Sequence, residues 1–311
     1  MSYKNIRCAV SLVQEWRGLF MQIGIQFHDT KELPFEERVK NVRDQGFSCV
    51  QLDLAKSIRE NSVRNSALTP GYAMYLKRLF ANEELDVAVL GSYMNLANPD
   101  EEMLQEIVKR YKAQIRFASI LGAGVVGTET GAPNQAYVYE RACHTKEALN
   151  VLLHNLSIIV EYAEQMGVVV AIEPVYRHIV YDAKVARKVL DTIQSPNLQI
   201  ILDPVNLLHS CNYHQQKDIV KEAVDLLGED IAVVHIKDYQ MTAKGLISVA
   251  AGTGEMDYAD IMRFIKKEKP YIHTILEYTN EKNSVSTKNF VEDLYDATHL
   301  PDPKEGDYRR K

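Results

Sequence analysis

The chain has 311 residues, 46% hydrophobic and 25% charged, a balance that supplies a large core and excludes an intrinsically disordered polymer. A formal net charge of −6 and a pI near 5.9 argue against a surface built for polyanions, so no nucleic-acid partner is expected. The opening MSYKNIRCAVSLVQEWRGLF holds an apolar run of only AVSLV, too short for a signal-peptide core or a bilayer span, and no other segment approaches membrane length.

Residues 1–20 form an arm in which Ile6, Val10, Val13, Trp16 and Leu19 can share one helical face. Capping of a barrel floor, packing on the partner in a homo-oligomer, and a natural start at Met21 all remain open for it. From Met21 the chain alternates short β-branched runs with longer segments of helical spacing. The expected strands are QIGIQF, SCVQLDL, DVAVLG, GVVGTE, VVVAIE, QIILD, AVVHIKD and TILEY. A helical segment follows each, and several stop at a glycine, as at Gly46, Gly122 and Gly167. Strict alternation means parallel strands joined by crossovers, and this number of units predicts a single α/β (β/α)8 TIM barrel over residues 21–300. A doubly wound dinucleotide fold would need a glycine-rich turn after the first strand, where HDTKELP stands instead. Residues 301–311 read as a polar tail. The cysteines, Cys8, Cys49, Cys143 and Cys211, form no CxxC pair, which fits reduced thiols in a cytoplasmic protein.

Inward and outward side chains alternate along barrel strands, and the C-terminal strand ends form the active face. On the last four strands, Glu173 goes with Ala171 and Val169, Asp203 with Ile201, His235 with Val233, and Glu277 with Ile275, while Ile172, Leu202, Val234 and Leu276 face the helices. Taken singly, each polar residue is as readily a helix cap, half of an ion pair or a satisfied core histidine. Three carboxylates at one mouth repel and raise one another's pKa unless a cation compensates them. Their convergence therefore predicts one divalent metal ion, and a donor set of one imidazole and three carboxylates suits Mn²⁺, Co²⁺, Mg²⁺ or Zn²⁺.

The segments AIEP, LDPVN, VVHIKD, AGTGEMDY and ILEY, in that order, resemble the xylose isomerase-like barrels of the sugar phosphate isomerase/epimerase superfamily, which holds tagatose and psicose 3-epimerases and inosose dehydratases. The resemblance implies a metal held by Glu173, Asp203, His235 and Glu277, a small-molecule ketose or related polyol chelating it, and Glu173 and Glu277 as the proton-transfer pair. The implied activity is isomerisation or epimerisation of a ketose, keto-sugar or sugar phosphate through a metal-stabilised enediolate, with a sugar or inosose dehydratase as the alternative. The superfamily also contains endonuclease IV, but the histidines that its zinc cluster needs are absent from QLDLAKS, LGSYMNL and LDPVN. Asn206 stands where several relatives carry a substrate-contacting histidine, and Ile179 where tagatose-type epimerases carry an acid, so Arg177 or His178 would replace that contact. His28 and Glu129 read either as binders of sugar hydroxyls or as residues that structure their loops. Lys237 either neutralises the enediolate or pairs with a ligand carboxylate, and Asp238 orients the loop that follows. The glycine pair in AAGTGE is a weak phosphate-cradle signal, better read as part of a lid or substrate loop.

Overall fold

The protein is described by a computed structural model over residues 21–300, so the arm and the tail lie outside the described residues. The apolar runs form β1 (Gln22–Gln26), β2 (Cys49–Asp53), β3 (Asp86–Gly91), β4 (Val125–Glu129), β5 (Val170–Glu173), β6 (Leu198–Leu202) and β7 (Ile231–Ile236). After a two-stranded insertion, β8 (Asp238–Thr242) and β9 (Gly245–Val249), comes the last barrel strand, β10 (His273–Leu276). Strands β1 to β7 and β10 close into a barrel, sealed where β10 pairs in parallel with both β1 and β7. The expected strands are all present, and only their ends shift.

The helices of ten or more residues are α1 (Phe35–Asp44), α2 (Pro70–Asn82), α3 (Glu101–Leu121), α4 (Lys146–Met166), α5 (Ala183–Ile193), α6 (Gln216–Leu227), α7 (Ala259–Glu268) and α8 (Ser284–Ala297). Local chemistry sets their limits. The Asp100 side chain accepts the Met103 N–H at the start of α3, which ends on Gly122 at φ 80°. Thr145 accepts from Ala148 at the start of α4, which ends on Gly167 at φ 64°. These left-handed caps favour glycine because it has no Cβ.

Strand alternation divides the apolar residues into two clusters. Val89, Val125, Ala171, Ile201, Val233 and Ile275 fill the barrel interior, whereas Ile172, Leu202, Val234 and Leu276 join the helix-facing core. Each fully buried aliphatic side chain contributes about 1.5–3 kcal/mol, so a one-residue slip of any strand is strongly disfavoured. The inward and outward assignment expected for the last four strands is the one observed. Gly127 belongs to the interior layer, where a Cβ would lie 2.6 Å from Val89 Cγ1 and 2.8 Å from Ile201 Cδ1.

One reading needs correction. The stretch from Tyr239, expected to be loop, contains the antiparallel β8–β9 hairpin, and Asp238 opens β8 instead of ending β7. Asp238 is buried and does orient the segment. Its Oδ1 accepts the N–H groups of Tyr239 and Met256, both at 2.8 Å, and its Oδ2 those of Gly252 at 3.1 Å and Gly254 at 2.9 Å. The amides of the glycine pair thus serve a carboxylate of the chain itself, which leaves no phosphate cradle there.

Candidate metal centre and substrate cavity

Because interior residues recur every second position, the residues two beyond Ala171, Ile201, Val233 and Ile275 emerge at one mouth of the barrel. They are Glu173, Asp203, His235 and Glu277, all buried. One ligand atom from each lies within 4.8 Å of the others. Opposed ligands around an ion bound at about 2.0–2.2 Å stand about 4 Å apart, so the set fits a divalent ion after a small contraction.

The neighbours fix each ligand. Asp203 Oδ1 accepts the N–H groups of Val205 at 2.8 Å and Asn206 at 3.3 Å, while Oδ2 lies 2.7 Å from Lys237 Nζ. His235 Nδ1 lies 3.3 Å from Glu173 Oε1 and 3.1 Å from Glu277 Oε1. Gln26 Nε2 donates to Glu277 Oε1 at 2.6 Å, and Lys237 Nζ donates to Glu277 Oε2 at 2.8 Å. Glu173 Oε1 accepts from Asn206 Nδ2 at 2.8 Å, and β5 ends beside it because Pro174 has no N–H to offer.

Electrostatics reflect a concentration of negative charge. Burial alone would depress His235, but the Glu173 and Glu277 carboxylates outweigh it and push the imidazole up to about 10. Burial likewise opposes the charge on Lys237, and Asp203 and Glu277 more than reverse that. Asp203 is raised to about 6 by burial, against the pull of Lys237. Burial would raise Glu277 too, yet Lys237 and His235 hold it well below the usual carboxylate range. A protonated imidazole and one ammonium thus offset two of the three carboxylate charges, compensation that a bound cation would otherwise supply.

Above the cluster opens a cavity of about 560 Å³, with Gln26, Asp29, Gln51, Tyr93, Glu129 and Lys237 in its wall. Glu129 accepts a hydrogen bond from Tyr137 Oη at 3.1 Å and lies 3.6 Å from His178 Nδ1. Burial raises the Glu129 carboxyl. Asn206 spans two site residues, donating to Glu173 and accepting from Lys237 Nζ at 2.8 Å. Lys237 takes the pairing option, bound between Asp203 and Glu277. His28 sits on the short turn after β1, and its neighbour Asp29 is the residue in the wall. Arg177 is exposed in an adjoining groove, and Ile179 is buried in the helix-facing core. Gln26 and Tyr93, which sequence reasoning did not single out, belong to the wall. Gln26 shares the inward face of β1 with Gly24, so strand alternation carried to the early strands would have found it.

The profile of the xylose isomerase-like TIM barrel family matches residues 39–298. The chain belongs to that family. No curated protein matches the sequence itself. Among solved structures, the xylose isomerase-like fold is shared with the IOLI protein with a bound zinc atom, at TM-score 0.69 and 17% identity over 90% of this chain and 100% of that one. A D-tagatose 3-epimerase-like protein gives TM-score 0.69 and 18% identity over 89% of this chain and 97% of its own. The 3-keto-D-glucoside 4-epimerase of E. coli gives 0.65 and 15% over 88% of this chain and 99% of its own.

Proposed function

We propose that this xylose isomerase-like barrel is a divalent-metal-dependent isomerase or epimerase of a ketose, keto-sugar or sugar phosphate. The observation that carries the proposal is the buried Glu173–Asp203–His235–Glu277 cluster at the floor of a polar cavity. Support also comes from the zinc atom and the epimerase names among the proteins that share the fold.

Moving hydrogen between carbons of a sugar requires removing a proton next to a carbonyl and returning it elsewhere, and the difficulty is the enediolate charge between the two steps. Glu173, Asp203, His235 and Glu277 would hold a divalent ion, whose positive charge would stabilise developing oxygen charge. The chain's own residues do the rest. Glu173 and Glu277 enter the cavity from different strands and serve as base and acid. Asn206 and Gln26 fix the orientation of those carboxylates, and Lys237 donates to Glu277 Oε2. The substrate is a small-molecule sugar. A cytoplasmic setting is part of the proposal, in keeping with the unpaired Cys49, Cys143 and Cys211. Among the described residues no helix is long and apolar enough to cross a membrane.

A dehydratase is the second reading, favoured by Glu129. This carboxyl lies in the cavity wall outside the ligand set and is raised by burial, which suits a group that protonates a departing hydroxyl.

Metal analysis of the purified protein should find about one divalent ion per chain. Glu173→Gln and Glu277→Gln should keep the native circular dichroism spectrum and lower turnover by about 10²–10⁴-fold. Product analysis of keto-polyols in D₂O separates the two readings, because an isomerase or epimerase leaves deuterium on carbon with no loss of water, whereas a dehydratase releases water. Full activity in rigorously metal-free protein would overturn both.

A further inference from the structure

We propose, resting on the sugar-isomerase reading, that the substrate has two rings, the reacting ketose in the metal cavity and a joined glycosyl ring in the groove beside it. The groove has a volume of about 750 Å³ and runs between the loop after β5, the loop after β6 and the β8–β9 turn. It adjoins the cavity of about 560 Å³, because Asn206 and Tyr278 line both.

Tyr278 marks the junction. It directly follows Glu277 and holds φ at 55°, a left-handed conformation that is unfavourable for a non-glycine residue and persists where the surroundings enforce it. Lys237 Nζ sits 5.4 Å from the centre of its ring, yet the residue is 54% exposed. Its side chain borders both compartments. Tyr139 and Ile247, 43% and 44% exposed, line the same groove. Three large side chains left in water along one groove beside the metal-cluster cavity are surface awaiting a ligand.

The wall is mixed in character. Tyr176 stacks on His209 with ring centroids 3.9 Å apart, and Tyr139 stacks on Tyr176 at 5.8 Å. A Cβ on Gly245 would lie 3.1 Å from Ser210 Oγ, so the hairpin turn is seated closely on the β6 loop. A sugar ring offers apolar C–H faces and a rim of hydroxyls, and this groove answers both. Aromatic and aliphatic surface takes the faces, and the Arg177, Lys244 and Ser248 side chains donate to the rim. Among the described residues, no carboxylate lines it.

The test compares D-fructose with three ketose-ended disaccharides, lactulose, isomaltulose and turanose, whose glycosyl units join through different hydroxyls. The metal-loaded full chain is used, and kcat/KM is measured for each. At least one disaccharide should exceed fructose by about tenfold or more. Ile247→Asp and Tyr139→Ala, both at exposed positions that tolerate change, should each bring that ratio to near one. A parent ratio near one, or a ratio that neither variant moves, overturns the two-ring substrate. Turnover of fructose alone overturns this inference and leaves the isomerase reading standing. Turnover of none of the four overturns the two-ring substrate, while the isomerase reading stands or falls on its own metal and D₂O measurements.

Discussion

Asn206 Nδ2 donates to Glu173 Oε1 at 2.8 Å, so a residue of the β6 loop orients the carboxylate at the end of β5. Its Oδ1 accepts from Lys237 at 2.8 Å, and one amide therefore satisfies two buried charged groups. In Asn206→Leu both lose a partner, at a cost of about 1–3 kcal/mol in urea unfolding. Metal affinity should fall about 10–100-fold, the usual result of losing a ligand's outer partner. Parental affinity in a titration with Mn²⁺ or Zn²⁺ would show that Asn206 does not support the site.

Lys237 is an ammonium, paired with Asp203 and Glu277, among three buried carboxylates. Removing one partner of such a pair leaves uncompensated charge, at about 3–5 kcal/mol. Lys237→Met should therefore lower the Tm of metal-free protein strongly. Saturating divalent ion should recover part of the loss, because it replaces the missing positive charge. An equal loss with and without metal would mean that Lys237 is not part of the site's charge balance.

Metal uptake should depend on pH with a defined sign. In the metal-free site His235 is pushed to about 10, so at neutral pH its imidazole carries a proton that must leave before the nitrogen can bind an ion. Affinity should rise about tenfold per pH unit through the neutral range, with about one proton released per ion. Below pH 6 the dependence should steepen as Asp203, raised to about 6, takes up a second proton. Calorimetry in buffers of different ionisation enthalpy counts the protons directly. A binding constant that stays level with pH would overturn this account.

The barrel was legible because its signals are local. Val169 and Ala171 alternate with the outward Ile172 up to Glu173, and Gly122 and Gly167 stop helices by their own backbone preference. Convergence of the four ligands followed from period-two alternation repeated on strands of one orientation. The hairpin was not legible, because β8 starts at Asp238 immediately after Ile236 and Lys237, with no glycine or proline to separate it from β7. Contacts between distant strands were equally silent. Gln26 and Glu277 are 251 positions apart, and nothing in either segment names the other.

His178 gives a stability prediction. Burial lowers its pKa from 6.5 to about 4. The unfolded chain therefore binds this proton at a pH where the folded protein does not, and its contribution is present above 6.5 and lost as pH falls towards 4. Between those limits it amounts to about 3 kcal/mol. Asp203, raised from 3.8 to about 6, acts with the opposite sign, because there the folded state holds the extra proton. The His178 effect is therefore read as the difference between parent and His178→Asn in urea unfolding, large at pH 4.5 and small at pH 7. A difference that does not change with pH would remove the assignment.

Asp238 holds the outer wall of the groove through four amide donors, those of Tyr239, Gly252, Gly254 and Met256. Asp238→Ala leaves all four without their acceptor. Hydrogen exchange at these amides should accelerate by about tenfold or more while the barrel strands keep their protection, since the hairpin can open apart from the closed sheet. Asp238→Asn keeps one oxygen and turns an NH₂ towards the other pair of donors. It should release one pair, Tyr239 with Met256 or Gly252 with Gly254, and retain the other. Acceleration spread evenly through β1 to β7 in either variant would show instead that Asp238 stabilises the whole barrel, because opening of the hairpin would then require global unfolding.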